Sequence, residues 1–256
     1  HHFIFQYWNI FIFIIILFPF RNKNCFILYF ALILEYYIME VIALVKRKEY
    51  LHRLIQWKDE QFIKVVTGIR RCGKSTMLMQ YQEWLKDNNI SDEQIISINF
   101  EDLEYEELQD YQKLYDYLKH RLCKGKMTYI FLDEIQKVPS FEKVVDSLYI
   151  KTDVDIYITG SNAYMLSGDL ATLLTGRYVE IKMLPLSFKE FLEICKMDQE
   201  RGLTEYMRVG GLPYIATMDR TQEKLETYLE GIYNTVIVKD IEDRQARKEK
   251  SPEKRK

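Results

Sequence analysis

The sequence predicts an α/β fold built on a parallel sheet, followed by a purely helical segment. Three observations carry that prediction. From Met39 to about residue 185, short apolar or β-branched runs alternate with longer stretches at helical spacing, the pattern of a parallel sheet with right-handed crossovers. The run "YIFLDE" at 129–134 is apolar until its two acids, as expected of a strand buried on both faces. From "PLSFKEFLEICK" onward only helical periodicity remains, broken once at "VGGLP", residues 209–213.

The elements follow in order. "EVIALVKRKEYLHRLIQWKD" reads as a short apolar run leading into an amphipathic helix. "QFIKVVTG" is a β-branched strand ended by Gly68, and "KSTMLMQYQEWLKDNN" a helix stopped by paired Asn. "EQIISINFED" is the next strand, and "LEYEELQDYQKLYDYLKHRL" one long polar-faced helix. Its tyrosines recur near helical spacing, which predicts packing rather than a platform for bases. "MTYIFLDE", "VDIYITGSN" and "YVEIKM" are strands, with helices at "SFEKVVDSLYI" and "SGDLATLLTG" between them.

Composition narrows the setting. The net charge of −2 gives no global basic field for nucleic acid, although the tail "RQARKEKSPEKRK" is locally positive. Cys25, Cys72, Cys123 and Cys195 contain no CxxC pair. That spacing indicates neither zinc nor a disulfide framework, and a cytoplasmic location is expected. His52 and His120 lie on amphipathic helices without ligand spacing and read as surface residues.

Residues 1–38 differ from the rest. Residues 3–20 are almost wholly apolar, long enough for a membrane span. No basic start or small-residue cleavage site marks a signal peptide. Phe, Ile, Tyr, Asn and Lys make up 25 of these 38 residues, and the first Met is Met39. Such residues have AT-rich codons, so the leader is expected to be upstream sequence translated in error; a membrane anchor through residues 3–20 is the alternative. The uncapped charged end reads as a truncated C-terminus. The expected organisation is a leader at 1–38, an α/β core at 39–185 and helices plus charged tail at 186–256.

Chemistry concentrates in "GIRRCGKS", residues 68–75. Phosphate oxygens need several converging backbone N–H groups, hence glycine where the backbone turns left-handed or approaches closely. A helix starting at Lys74 aims its positive end at the same phosphates. Gly68, Arg70, Arg71, Cys72, Gly73, Lys74, Ser75 and Thr76 are the candidate nucleotide-binding residues. Lys74, read as an exposed loop charge, reaches the β- and γ-phosphates, and the Ser75 hydroxyl ligates Mg²⁺. Side chains between the glycines point largely outward, so Arg70 and Arg71 are expected to be solvated, ion-paired or at a subunit interface.

Asp133 ends the apolar strand where it can hold the metal with Ser75, and Glu134 is placed to activate the attacking water. Ser161 and Asn162 follow the fourth strand; either orients water near the γ-phosphate or caps the next helix. Arg177 precedes the last strand and serves either as a phosphate-neutralising arginine or in a surface ion pair.

In order, "GIRRCGKS", "FLDEIQ", "ITGSNA", "LSGDLATLLTGRYVEI", "PLSFKEF" and "GGLP" resemble a group of bacterial and archaeal AAA-type P-loop ATPases. Members usually carry a C-terminal region of unknown function, and the resemblance spans residues 39 to about 245. It implies a P-loop NTPase three-layer sandwich with sheet order 5-1-4-3-2 and a C-terminal helical lid. It also implies sensor positions at Ser161 and Asn162 and an arginine finger at Arg177. The expected function is Mg²⁺-dependent ATP hydrolysis coupled to lid movement, with ATP, a homo-oligomer and a protein client as partners. The alternatives are an ATP-dependent switch or scaffold with negligible turnover, which has no use for Glu134, and a nucleic-acid motor, which needs a basic track. A membrane is a partner only if the leader is native.

Overall fold

The computed structural model describes residues 47–160, 174 and 176–234. Expectations for the leader, for Ser161, Asn162 and most of the short helix after them, and for the charged tail lie outside those residues. All described residues belong to one compact unit, Val45–Lys256.

Helix α1 (Lys48–Gln56) precedes β1 (Ile63–Gly68), α2 (Lys74–Asp87), β2 (Ile95–Asn99), α3 (Tyr111–Arg121) and β3 (Thr128–Asp133). Helix α4 (Phe141–Tyr149), β4 (Val154–Thr159) and β5 (Tyr178–Met183) complete the sheet. The five strands pair in the order β2-β3-β4-β1-β5, every pair parallel. Read from the other edge this is the expected 5-1-4-3-2. Strands β1 and β3 are buried at all six positions, which explains their unbroken apolar character.

Side chains alternate between two cores. Ile63 and Val65 of β1 join Leu114 and Leu118 of α3 and Phe141, Val144 and Leu148 of α4. Val66, Tyr129, Phe131 and Tyr157 face Leu54 of α1 and Met77, Leu78, Tyr81 and Leu85 of α2. The period-two alternation of each strand thus feeds a helical layer on either face, giving three layers.

One predicted element divides. The helix expected over 103–122 is a 3₁₀ segment, Leu103–Gln109, followed by α3. Asp110 causes the break: its carboxylate accepts from the N–H groups of Gln112 and Lys113 at 2.9 Å each. An Asp that caps a new helix start competes with continuation of the old one.

After β5 come α5 (Phe188–Cys195), α6 (Gln199–Val209), α7 (Pro213–Thr217) and α8 (Gln222–Ile232). They share a core of Leu186, Phe191, Val209, Ile215, Ala216 and Leu225. Ser187 and Glu190 form a capping box that starts α5, legible in "LSFKE" as S-x-x-E.

Between the sheet and α2 lies a buried ion pair. Lys64 Nζ bonds Asp155 and also the Glu60 carbonyl at 2.6 Å. Asp155 further accepts from Asp59 N–H and the Tyr157 hydroxyl. Burial dominates both groups, lowering the Lys64 pKa and raising that of Asp155 against their mutual attraction. Replacing Asp155 by Ala strands Lys64 without its partner. The expected cost, read by urea unfolding, is about 3–5 kcal/mol.

Candidate functional site

Sheet order sets the site. Strand β4 lies between β3 and β1, so the C-terminal ends of all three meet at one edge. Val66 pairs with Thr159, and Leu132 pairs with Ile158. The residues just beyond, Asp133, Thr159 and the loop from Gly68, therefore stand side by side.

The loop's shape explains its glycines. A Cβ on Gly68 would lie 2.6 Å from the Met183 carbonyl oxygen and 2.7 Å from Cys72 Sγ, distances that no side chain tolerates. Gly73 has φ 97°, ψ 25° and is the N-cap of α2, a backbone that glycine adopts without steric cost. Lys74 is buried rather than exposed, at 5% accessibility. Its Nζ donates to the Gly68 and Ile69 carbonyls at 3.1 and 3.3 Å. The ammonium is thus held inside the loop, where its charge favours an anion. Ser75 is exposed and Thr76 half-buried on the first turn of α2.

Asp133 is 8% exposed and accepts a hydrogen bond from the Thr159 hydroxyl. The same hydroxyl accepts from the Glu134 N–H at 3.0 Å. Glu134 has a left-handed backbone, φ 54° and ψ 43°, uncommon for a residue with a side chain. Gln136 Nε2 bonds its carboxylate. One threonine therefore aligns both acids. Sequence reasoning gave Thr159 no role, because threonine at a strand end is an ordinary strand former.

Arg177 lies at the other end of the sheet. Its carbonyl accepts from Ile63 N–H, and Tyr178 pairs with Ile63. Gly68 is five residues further along β1, roughly 17 Å away. The guanidinium bonds Asp146 of α4 at 3.0 Å and lies 5.4 Å from the Tyr149 ring centre. Glu180, the partner considered for it, instead accepts from the Thr67 hydroxyl at 2.6 Å. The Arg177 side chain is 47% exposed, so Arg177→Ala is expected to change unfolding free energy by about 1 kcal/mol or less, measured by thermal melts.

The two loop arginines diverge. Arg70 is half-buried. Arg71 is exposed, with φ 64°, and its guanidinium lies 5.4 Å from the ring centre of Tyr228 on α8. It faces the helical segment rather than an acid.

Arg47 is a second residue that the sequence concealed. It is 3% exposed, and its guanidinium forks onto both carboxylate oxygens of Glu190 at 2.9 and 3.1 Å. It also donates to the carbonyls of Cys72, Leu184 and Pro185. One side chain therefore ties the phosphate loop to the start of α5. Burial alone would raise the Glu190 pKa, but bonds from Arg47 and Ser187 outweigh it and hold the value below normal. This pair's stabilisation is accordingly present above the ordinary Glu pKa and lost as pH falls through the lower folded value. Glu190→Gln is expected to flatten that acid limb in pH-dependent unfolding.

The fold and this loop define a class: a nucleotide-binding P-loop ATPase domain. The AAA domain family model matches residues 60–192, and the chain belongs to that family. An uncharacterised protein of Haemophilus influenzae is 43% identical over 208 residues, covering 79% of this chain and 52% of the relative. An uncharacterised protein of Methanocaldococcus jannaschii is 32% identical over 228 residues, covering 81% and 49%. The chain thus spans about half the length of these relatives. Among solved structures, the Walker-type ATPase of Pyrococcus abyssi superposes with a TM-score of 0.50 at 16% identity, covering 81% of this chain and 77% of that one. This likeness extends to the fold. Among the described residues, no helix is long and apolar enough to cross a membrane.

Proposed function

We propose that this chain binds ATP and hydrolyses it with Mg²⁺, transmitting the change to the helical lid after β5 and through it to an unidentified protein client. The carrying observation is the pair Asp133–Glu134 at the end of a buried strand, both tied to Thr159 beside the phosphate loop. Mg²⁺ fits the donor set, since the Ser75 hydroxyl and Asp133 carboxylate are hard oxygen donors. Bound there, it would neutralise charge on the phosphates. Loop N–H groups and Lys74 hold the phosphates, Thr159 orients the two acids, and Glu134 takes the proton of the attacking water. Arg47 supports the coupling by joining the Cys72 carbonyl to Glu190 of α5.

The test is phosphate release from ATP by the full chain, with and without Mg²⁺. ATP binding without turnover would favour a switch. Arg177 enters this mechanism only from a second copy, because in its own chain it stands at the far end of β1. Mixing Arg177→Ala with Glu134→Gln subunits reads that role. Recovered turnover assigns Arg177 to a neighbour's site; no recovery despite co-assembly leaves it to Asp146.

A further inference from the structure

Glu134 and Gln136 stand one residue apart in the chain, and side chains at that spacing on a regular helix do not face each other. The left-handed backbone of Glu134, φ 54° and ψ 43°, lifts that restriction. Gln136 Nε2 accordingly donates to the Glu134 carboxylate. The turn that carries both is fixed by its own bonds: Lys137 N–H donates to the Glu134 carbonyl at 3.1 Å, and Val138 N–H to that of Ile135 at 2.9 Å. Ile135 and Val138 are fully buried in the core, so the backbone beneath Gln136 has little room to shift.

The Gln136 amide is satisfied at one end only. An ionised carboxylate accepts hydrogen bonds and cannot donate them, so the amide must offer it Nε2 and turn Oε1 away. Among the described residues, that Oε1 is buried and has no hydrogen-bond partner. A buried acceptor left bare destabilises the fold, a penalty that an apolar side chain of similar shape avoids. Glutamine at this position is therefore unfavourable for packing. Its one bond is to Glu134, and a half-satisfied buried amide of this kind points to a role in function.

We propose that Gln136 is a positioning residue for hydrolysis, its amide holding the Glu134 carboxylate in the orientation that takes the proton of the attacking water; the proposal rests on ATP hydrolysis through Glu134. Gln136 touches neither the water nor the phosphates in this role. A glutamate side chain turns about several bonds, and fixing its backbone alone leaves the carboxylate free to swing. Thr159 holds the Glu134 N–H, and Gln136 holds the carboxylate. The two bonds thus fix both ends of the residue. The Nε2 bond occupies one lone pair of the carboxylate and leaves others to receive the proton.

The experiment is Gln136→Met in the full chain, read by single-turnover phosphate release, ATP calorimetry and a thermal melt. Methionine is unbranched and fills a similar space without an amide. Turnover is expected to fall about tenfold or more, since misplacing a reacting group by roughly 1 Å can cost about a hundredfold. ATP affinity is expected to stay within twofold. The melting temperature is expected not to fall, because the bare carbonyl is gone and Glu134 is half-buried, open to water in place of the lost bond. Slower turnover without lower stability is a combination that loss of a structural contact does not produce. In a Glu134→Gln background, Gln136→Met is expected to add no further loss, because no base remains to be aimed. Turnover within twofold of wild type in the single variant overturns the proposal. So does a further loss in the double variant, which assigns Gln136 an action independent of Glu134, and so does a variant that melts earlier or fails to fold. Each of these results leaves Glu134 as the base. Wild type that releases no phosphate, or Glu134→Gln at the wild-type rate, overturns the hydrolytic reading itself and this proposal with it.

Discussion

Lys74→Ala is expected to remove measurable ATP binding, a loss of at least a hundredfold or about 3 kcal/mol, while the chain stays folded. The ammonium bonds only the Gly68 and Ile69 carbonyls among the described groups. Those bonds hold a positive charge within a loop whose N–H groups and helix end already favour an anion. Removing the charge therefore takes away an attraction that the backbone alone does not replace. Stability should suffer less, because Lys74 is the first residue of α2 and Ala is the strongest helix former. The stem is buried, so some packing is lost and a small drop in melting temperature is expected. Calorimetry with a parallel thermal melt separates the two effects. ATP affinity equal to wild type in the folded variant would remove Lys74, and the loop with it, from the mechanism.

The contrast between legible and concealed residues has a physical cause. Glycine spacing, an apolar run ended by acids and strand–helix alternation are local patterns, and each gave its element correctly. The strand order was not readable from alternation; it came with the family resemblance, and the pairing of β4 between β3 and β1 bears it out. Thr159 matters only because of that order, which brings its hydroxyl to Asp133 and Glu134 from 26 and 25 residues away. Arg47 sits in the basic run "KRK" at 46–48, where nothing separates it from its neighbours. Its partners Cys72 and Glu190 are 25 and 143 residues distant. Among the described residues, the element that differs is the helix over 103–122, which turned on Asp110, whose capping role competes with an otherwise helical pattern. Arg177 shows the limit of position in sequence: it precedes β5 as expected, yet the parallel pairing with β1 carries it to the end of the sheet opposite the loop.

Glu134→Gln is expected to keep ATP bound and to slow turnover roughly 10²-fold or more, the usual scale for losing a general base. The substitution preserves shape. Gln retains the side-chain length, and the backbone N–H stays on Thr159, so the left-handed turn at this residue need not relax. What changes is proton affinity, because an amide oxygen does not accept a proton from water near neutral pH. The turn itself argues for function. A non-glycine residue at φ 54° costs on the order of 1–3 kcal/mol and persists where its surroundings impose it. Here the Thr159 hydroxyl and Gln136 impose it, and the result is a carboxylate aimed from a strand end beside the phosphate loop. Thr159→Val tests that support separately. It leaves Glu134 able to accept a proton but removes the hydroxyl shared with Asp133, so its turnover should fall between those of wild type and Glu134→Gln. Single-turnover phosphate release, with ATP affinity measured alongside, reads both variants. A Glu134→Gln chain that releases phosphate at the wild-type rate would take Glu134 out of the chemistry and leave the turn as an element of structure alone.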